Sequence, residues 1–285
     1  MNLSILPVYQ DIKDQDFRKP YADGQSAPII CGLYLLPFFF TINGSAYIQR
    51  IGIEIYDMSD VLVYSEDNAK KYFKDNLIVV PGGDIKTRIY FRCEEPLPGL
   101  NIGKYYLKLV VNQNTVFFTE VFSVVDTVYD TLKLTWWDKE NFKTDSDLIM
   151  YDGFFRNYVY INNPLGRPEY TYEEETATRD GIIFPNKIIA KKTYKTNFLA
   201  SESQLDALQL ARLADFKVLY DGEKRYNIQD LLITPMWTDQ SNIANVEVTF
   251  TTIESVIKKS ARSITPAEFA DYNIDYNKDY YAATK

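Results

Sequence analysis

The sequence contains no histidine. That absence removes the usual general base of hydrolytic triads and the commonest neutral metal ligand. Cysteine is scarce too: Cys31 and Cys93 stand alone, too few for a disulfide scaffold or a cysteine-rich zinc site. Cys31 follows Ile29-Ile30 and Cys93 comes two positions after Phe91, near apolar or aromatic residues as buried free thiols often are. Neither G-x-x-x-x-G-K-S/T nor G-x-G-x-x-G occurs, so no glycine-rich loop is expected to cradle phosphate, and Gly82-Gly83 reads as a turn. Residues 29–40 are apolar but shorter than a membrane span, broken by Pro37 and followed by Asn43-Gly44. They read as a buried strand entering a tight turn, and no membrane-spanning segment is expected. The opening Met1-Asn2-Leu3-Ser4-Ile5-Leu6-Pro7 has neither a basic start nor a long apolar stretch, so no signal peptide is expected.

Positive charge is in deficit. Lys and Arg number 31 against 39 Asp and Glu, a net charge of -8 with a pI near 4.8. Affinity for nucleic acid comes mainly from Lys and Arg displacing phosphate counterions, so sequence-specific nucleic-acid binding is not expected. What the chain has in quantity is apolar and aromatic residues: 46% hydrophobic, with 23 Tyr and 17 Phe among 285 residues. That is enough for one large or two medium cores. The aromatic bias favours strands and contact surfaces, where flat rings pack well.

The sequence divides by texture into four parts. Residues 1–24 carry Asp11, Asp14, Asp16, Arg18, Lys19 and Pro20 and read as an N-terminal arm. Residues 25–126 hold seven short apolar or alternating runs, at 29–42, 47–56, 61–64, 77–80, 85–91, 105–111 and 116–125, the pattern of a β-sandwich. Tyr105, Leu107, Leu109 and Val111 share one strand face, and Asn112-Gln113-Asn114 supplies a hairpin turn. Residues 127–263 form a second β-rich block around one helix, 201–214, with strands at 158–161, 216–220, 225–228, 231–237 and 246–253. Ser201 and Gln204 have capping-box spacing, and Leu205, Leu208 and Ala211 or Arg212, followed by Leu213, approximate its stripe. Residues 264–285 are rich in Asp, Asn and Tyr without a core face and read as a C-terminal arm.

Chemistry-bearing patterns are weak. Glu173, Glu174 and Glu175 are adjacent and read as a solvated loop; Asp145 and Asp147 read as turn or cap residues. Asp271, Asn273 and Asp275 imitate the start of a calcium loop, but Tyr276 replaces its glycine and Ala282 its bidentate glutamate. Asn43-Gly44-Ser45 matches a glycosylation sequon and reads as a turn. No catalytic, metal-binding or cofactor-binding residue is assigned, and an enzyme is not expected; a two-carboxylate glycosidase is a distant alternative. Trp136 and Trp137 could stack on sugars or bases, although core or interdomain packing is the favoured reading. Together with Tyr272, Tyr276, Tyr280 and Tyr281 they are the candidate assembly residues.

Gly103-Lys104-Tyr105-Tyr106-Leu107-Lys108-Leu109, a short turn and Phe118-Thr119-Glu120-Val121-Phe122-Ser123-Val124-Val125 resemble the last hairpin of immunoglobulin- or fibronectin-like domains in virion proteins of phages infecting Bacteroidales. Pro168-Glu169-Tyr170, Arg179-Asp180-Gly181, Lys192-Thr193-Tyr194-Lys195, the helix at 205–213 and Ala244-Asn245-Val246-Glu247-Val248-Thr249-Phe250 look similar to the rest of such proteins, particularly in crAss-like phages. The resemblance covers residues 100–262. It implies an immunoglobulin-like sandwich beside a ring-forming domain, and a structural subunit of the neck, tail barrel or tail hub. It further implies a homo-oligomeric ring of sixfold or twelvefold symmetry touching other neck and tail proteins, made in the host cytoplasm and resident in the virion. The alternative is a carbohydrate- or receptor-binding tail module.

Overall fold

The structure, a computed structural model, describes residues 4–10, 29–31, 34–80, 82–91, 100–125, 131–139, 142–143, 148–149, 155–179, 182–237 and 243–259. The protein is mainly β with one α-helix. The strands are β1 (Val8–Gln10), β2 (Ile29–Cys31), β3 (Phe39–Asn43), β4 (Ile51–Asp57), β5 (Leu62–Glu66), β6 (Phe73–Val79), β7 (Ile85–Phe91), β8 (Gly103–Val111), β9 (Thr115–Thr119) and β10 (Phe122–Val124). They continue with β11 (Leu132–Trp137), β12 (Phe142–Lys143), β13 (Leu148–Ile149), β14 (Asn157–Ile161), β15 (Glu169–Arg179) and β16 (Ile182–Ser201). The helix α1 (Glu202–Leu213) follows, then β17 (Phe216–Asp221), β18 (Lys224–Trp237) and β19 (Ile243–Lys259).

The first half is built around β8. It pairs with β9 and β10 on one side and β4 on the other, and β1, β2 and β5 extend that sheet. Alternation decides which way it faces: Tyr105, Leu107, Leu109 and Val111 of β8 and Ile51, Ile53 and Ile55 of β4 are all buried. The expected hairpin is present. Asn112 and Gln113 both take positive φ, 49° and 68°, the twist that suits a tight β-turn. A separate sheet, β3-β7-β6, lies against this face, with Phe40 and Phe117 ring centroids 4.6 Å apart.

Residues 4–10 are not a loose lead-in. Ile5 and Leu6 are fully buried, the Ser4 hydroxyl donates to the Leu6 carbonyl at 2.8 Å and accepts from Phe39 N at 3.3 Å, and β1 pairs with β9 from Val8↔Thr119. An apolar Ile-Leu pair is too short to show a period, and its partners lie far along the chain. The remaining residues of the expected N-terminal arm, and all of 264–285, fall outside the described residues.

The second half is one sheet of order β14-β11-β17-β18-β19-β16-β15. Helix α1 lies on it through Leu205, Ala207, Leu208, Leu210 and Ala211, and each fully buried leucine contributes roughly 1.5–3 kcal/mol. Its start follows the sequence expectation. Ser201 Oγ accepts from Gln204 N while Gln204 Oε1 accepts from Ser201 N at 2.9 Å, a complete capping box. Leu213, expected to end the apolar stripe, is instead 65% exposed, and the buried face runs through Ala207 and Leu210. The strands expected at 225–228 and 231–237 are a single strand, β18, carried across a bulge between Ile228 and Asp230. There the Asp230 carboxylate accepts from Leu231 N at 3.0 Å, so a residue that reads as a breaker serves the bulge.

The two halves share one contiguous buried cluster running from Ile5 to Phe250. Phe155 touches Phe39 and Tyr90 at centroid distances of 6.0 and 5.1 Å, and Tyr158 Oη donates to the Leu35 carbonyl at 2.8 Å. The expected boundary at Asp126 lies outside the described residues.

Candidate assembly surface

Beyond the body, β15, β16 and β19 continue as a three-stranded arm. β18 last pairs with β19 at Ile228↔Thr252, which is where β15 begins, with Glu169 opposite Thr193 and Thr193 opposite Thr251. From there the 11 residues of β15 reach about 35 Å at roughly 3.3 Å per residue. Every β15 residue of stated burial is exposed.

Glu173, Glu174 and Glu175 therefore sit on a strand and not in the solvated loop that the charge run suggests. Their partners explain the difference. Lys187 Nζ lies 3.3 Å from Glu175, Lys191 Nζ 2.7 Å from Glu173 and Lys195 Nζ 3.1 Å from Glu169, all across the β15–β16 ladder. These pairs are exposed and individually weak, at most about 1 kcal/mol each, but they set opposite charges face to face. The other face of the arm carries Tyr170 and Tyr172, 59% and 66% exposed, opposite Lys192 and Ala190. That face is continuous with the one that buries Phe250, Val248 and Val246 in the body.

The expected assembly residues separate. Trp136 is fully buried in β11, and its Nε1 has no hydrogen-bond acceptor among the described residues, so it is a core residue unable to touch a neighbour. Trp137, on the opposite face, is half-buried: it stacks on Phe216 at 5.5 Å and takes the Arg156 guanidinium 4.5 Å above its ring. Tyr272, Tyr276, Tyr280 and Tyr281 lie outside the described residues, as do Asp145, Asp147 and the calcium-like Asp271, Asn273 and Asp275. Gly44, Gly82 and Gly83 adopt positive φ, as turns require.

Two polar features stand apart from the arm. Asp138 is buried, and burial pushes its carboxyl above the usual aspartate range, with the nearby Asp215 charge adding and its own hydrogen bond opposing. Its Oδ1 accepts from Asp215 N at 2.8 Å while Asp215 Oδ2 accepts from Lys139 N at 3.3 Å. Burial draws the neighbouring Lys217 down, and its ammonium donates to the Ala214 carbonyl. With these backbone bonds, the cluster ties the end of β11 to the start of β17. The second feature is a cleft of about 370 Å³ whose polar lining is the amides of Asn162, Asn163, Asn197, Gln204 and Asn245. Tyr160, Phe198 and Leu199 supply its apolar part, and among the described residues no charged side chain lines it.

Among the described residues no cluster of three or more His, Cys, Asp or Glu could hold a metal ion, and no helix is long and apolar enough to cross a membrane. The site geometry thus defines a mainly β protein with an exposed, charge-laddered sheet arm. Protein-family models give no match to the sequence, and no curated protein matches it.

Proposed function

We propose that the chain is a structural virion protein of a tailed phage, forming a symmetric ring of the neck, tail barrel or tail hub through which DNA passes. The arm carries this reading. A three-stranded sheet that leaves the body with both lateral edges unpaired among the described residues offers two different surfaces, and two different surfaces repeated about an axis close a ring. The paired sheets of the first half fit an immunoglobulin-like sandwich that decorates or bridges the ring, and the Tyr-rich segment 263–285 latches a neighbour. A net charge of -8 suits a conduit wall that does not retain passing DNA. Negative-stain images of the assembled chain test this: rings with an open centre are expected, and compact solitary particles, with or without other neck and tail proteins, contradict it.

The amide-lined cleft favours a second reading, a saccharide-binding tail module. Neutral amides paired with an aromatic wall suit hydroxyl-rich, uncharged sugars. A glycan array showing binding that Asn197→Ala and Asn245→Ala abolish supports this reading, and an array without hits removes it.

A further inference from the structure

We propose that the amide-lined cleft is a site for a 2-acetamido sugar, whose acetamido carbonyl accepts a hydrogen bond from Gln204 Nε2. The inference rests on the saccharide reading of the cleft, not on the ring, and names the chemical group that the cleft selects.

The helix cap fixes which end of Gln204 is spare. Gln204 and Val159, each 3% exposed, are the most buried of the residues lining the cleft. Ser201 N can only donate, so the Gln204 atom 2.9 Å from it is the oxygen. The amide nitrogen is left over, and among the described residues it has no acceptor. Capping does not require that nitrogen. A glutamate at the same position completes a capping box equally well and gains from the positive end of the helix dipole. Glutamine differs by a pair of N–H donors held at a buried position, where a missing acceptor is costly.

Asn163 supplies the complementary group. The Asn197 carbonyl can only accept, so the Asn163 atom 2.8 Å from it is the nitrogen, which leaves Asn163 Oδ1 as an acceptor on the cleft wall. An acetamido group carries one carbonyl and one N–H, the partners that Gln204 Nε2 and Asn163 Oδ1 respectively lack. Its methyl group suits the apolar wall of Val159, Phe198 and Leu199. The side-chain amides of Asn162, Asn197 and Asn245 make no hydrogen bond among the described residues and remain for the ring hydroxyls.

Charge and size narrow the ligand further. Among the described residues no charged side chain lines the cleft, so a free amino sugar would set its ammonium against the Gln204 donor with no carboxylate to compensate. An acidic sugar would find no cation. A volume of about 370 Å³ lies at the small end of ligand pockets, roughly 300–1,000 Å³, and matches a short sugar unit.

Saturation-transfer NMR on the full chain, with N-acetylglucosamine and N-acetylgalactosamine as probes, tests the assignment. The acetamido methyl is expected to take the strongest saturation, and competition is expected to show either sugar bound about tenfold or more tighter than glucose or glucosamine. Gln204→Glu keeps an oxygen for Ser201 N, so its melting temperature should match the parent's, and it replaces the donor in the cleft with an acceptor. The variant is expected to lower the preference for the acetamido sugar over glucosamine by about tenfold or more. A folded variant that keeps the parent's preference, or a parent that saturates the ring protons but not the methyl, overturns the assignment. So does N-acetylalanine methylamide bound as tightly as the sugars, since it carries the acetamide without the ring. Should Gln204→Glu fail to fold, methyl saturation in the parent decides alone. Glucose bound as tightly as the acetamido sugars overturns the acetamide assignment and leaves the saccharide reading standing. Binding of no sugar overturns both.

Discussion

Tyr158 and Leu35 are joined by a hydrogen bond of 2.8 Å, the Tyr158 hydroxyl donating to the Leu35 carbonyl across 123 positions of sequence. Both residues are buried, Leu35 at 2% and Tyr158 at 7% exposure. The contact ties the β-rich second half to the loop that precedes β3, within a cluster common to both halves. Tyr158→Phe leaves that buried carbonyl without its partner, an expected loss of about 1–3 kcal/mol. Chemical denaturation should show it as a lower midpoint with an unchanged slope, in a single transition for the described body.

Trp136 and Trp137 are adjacent in sequence and opposite in role. Trp136→Ala should cost about 3–5 kcal/mol by opening a cavity in the core. Trp136→Phe should cost less, since it also removes a buried N–H that lacks an acceptor among the described residues. Trp137→Ala should change stability much less and leave the Trp136 emission in an apolar environment. Thermal unfolding and fluorescence on the three variants separate the roles.

Ser201 and Gln204 cap α1 reciprocally. Ser201→Ala should cost about 1 kcal/mol. Ser201→Ala combined with Gln204→Ala should cost less than the sum of the single changes, because each removes the same box. A double-mutant cycle by denaturation reads the coupling directly.

Asp138 gives a pH signature. Its folded carboxyl titrates above the unfolded value near 3.8, so the folded state holds the proton more tightly. Its stabilising effect is therefore fully present below the unfolded pKa and is lost as pH rises through the folded pKa. Asp138→Asn keeps an oxygen to accept from Asp215 N and carries no charge, so it should hold its melting temperature across this interval while the parent declines.

Tyr56 donates to Glu54 Oε2 at 2.6 Å, and Lys108 Nζ donates to the same oxygen at 2.8 Å. The bond to Glu54 and burial push the Tyr56 phenol up to about 12. At Glu54, burial acts upward, but the hydrogen bonds from Lys108 and Tyr56 prevail and leave the carboxyl lowered. Glu54→Gln should return the Tyr56 titration toward 10, read by ultraviolet difference spectra at alkaline pH.

Local signals were legible in the sequence because their causes are local. The capping box at Ser201, the β8–β9 turn at Asn112 and Gln113, and the alternation of Tyr105, Leu107, Leu109 and Val111 each depend on residues within a few positions. Burial of Ile5 and Leu6 was not legible, since it depends on β9 and on Phe39. The same holds for the arm. Glu173, Glu174 and Glu175 read as a solvated run because the lysines that face them lie 12 to 18 positions away, and a strand exposed on both faces lacks the apolar alternation that marks a strand. Trp136 and Trp137 could be expected to face opposite ways on a strand, but which of them faces the core depends on how β11 pairs with β14 and β17.

The mass of the purified chain in solution, followed by light scattering over a concentration series with and without partner neck and tail proteins, tests the assembly claim most directly. A discrete species at a fixed multiple of 33.1 kDa that dissociates at high salt is expected. A mass that stays at 33.1 kDa under every condition contradicts a ring-forming role.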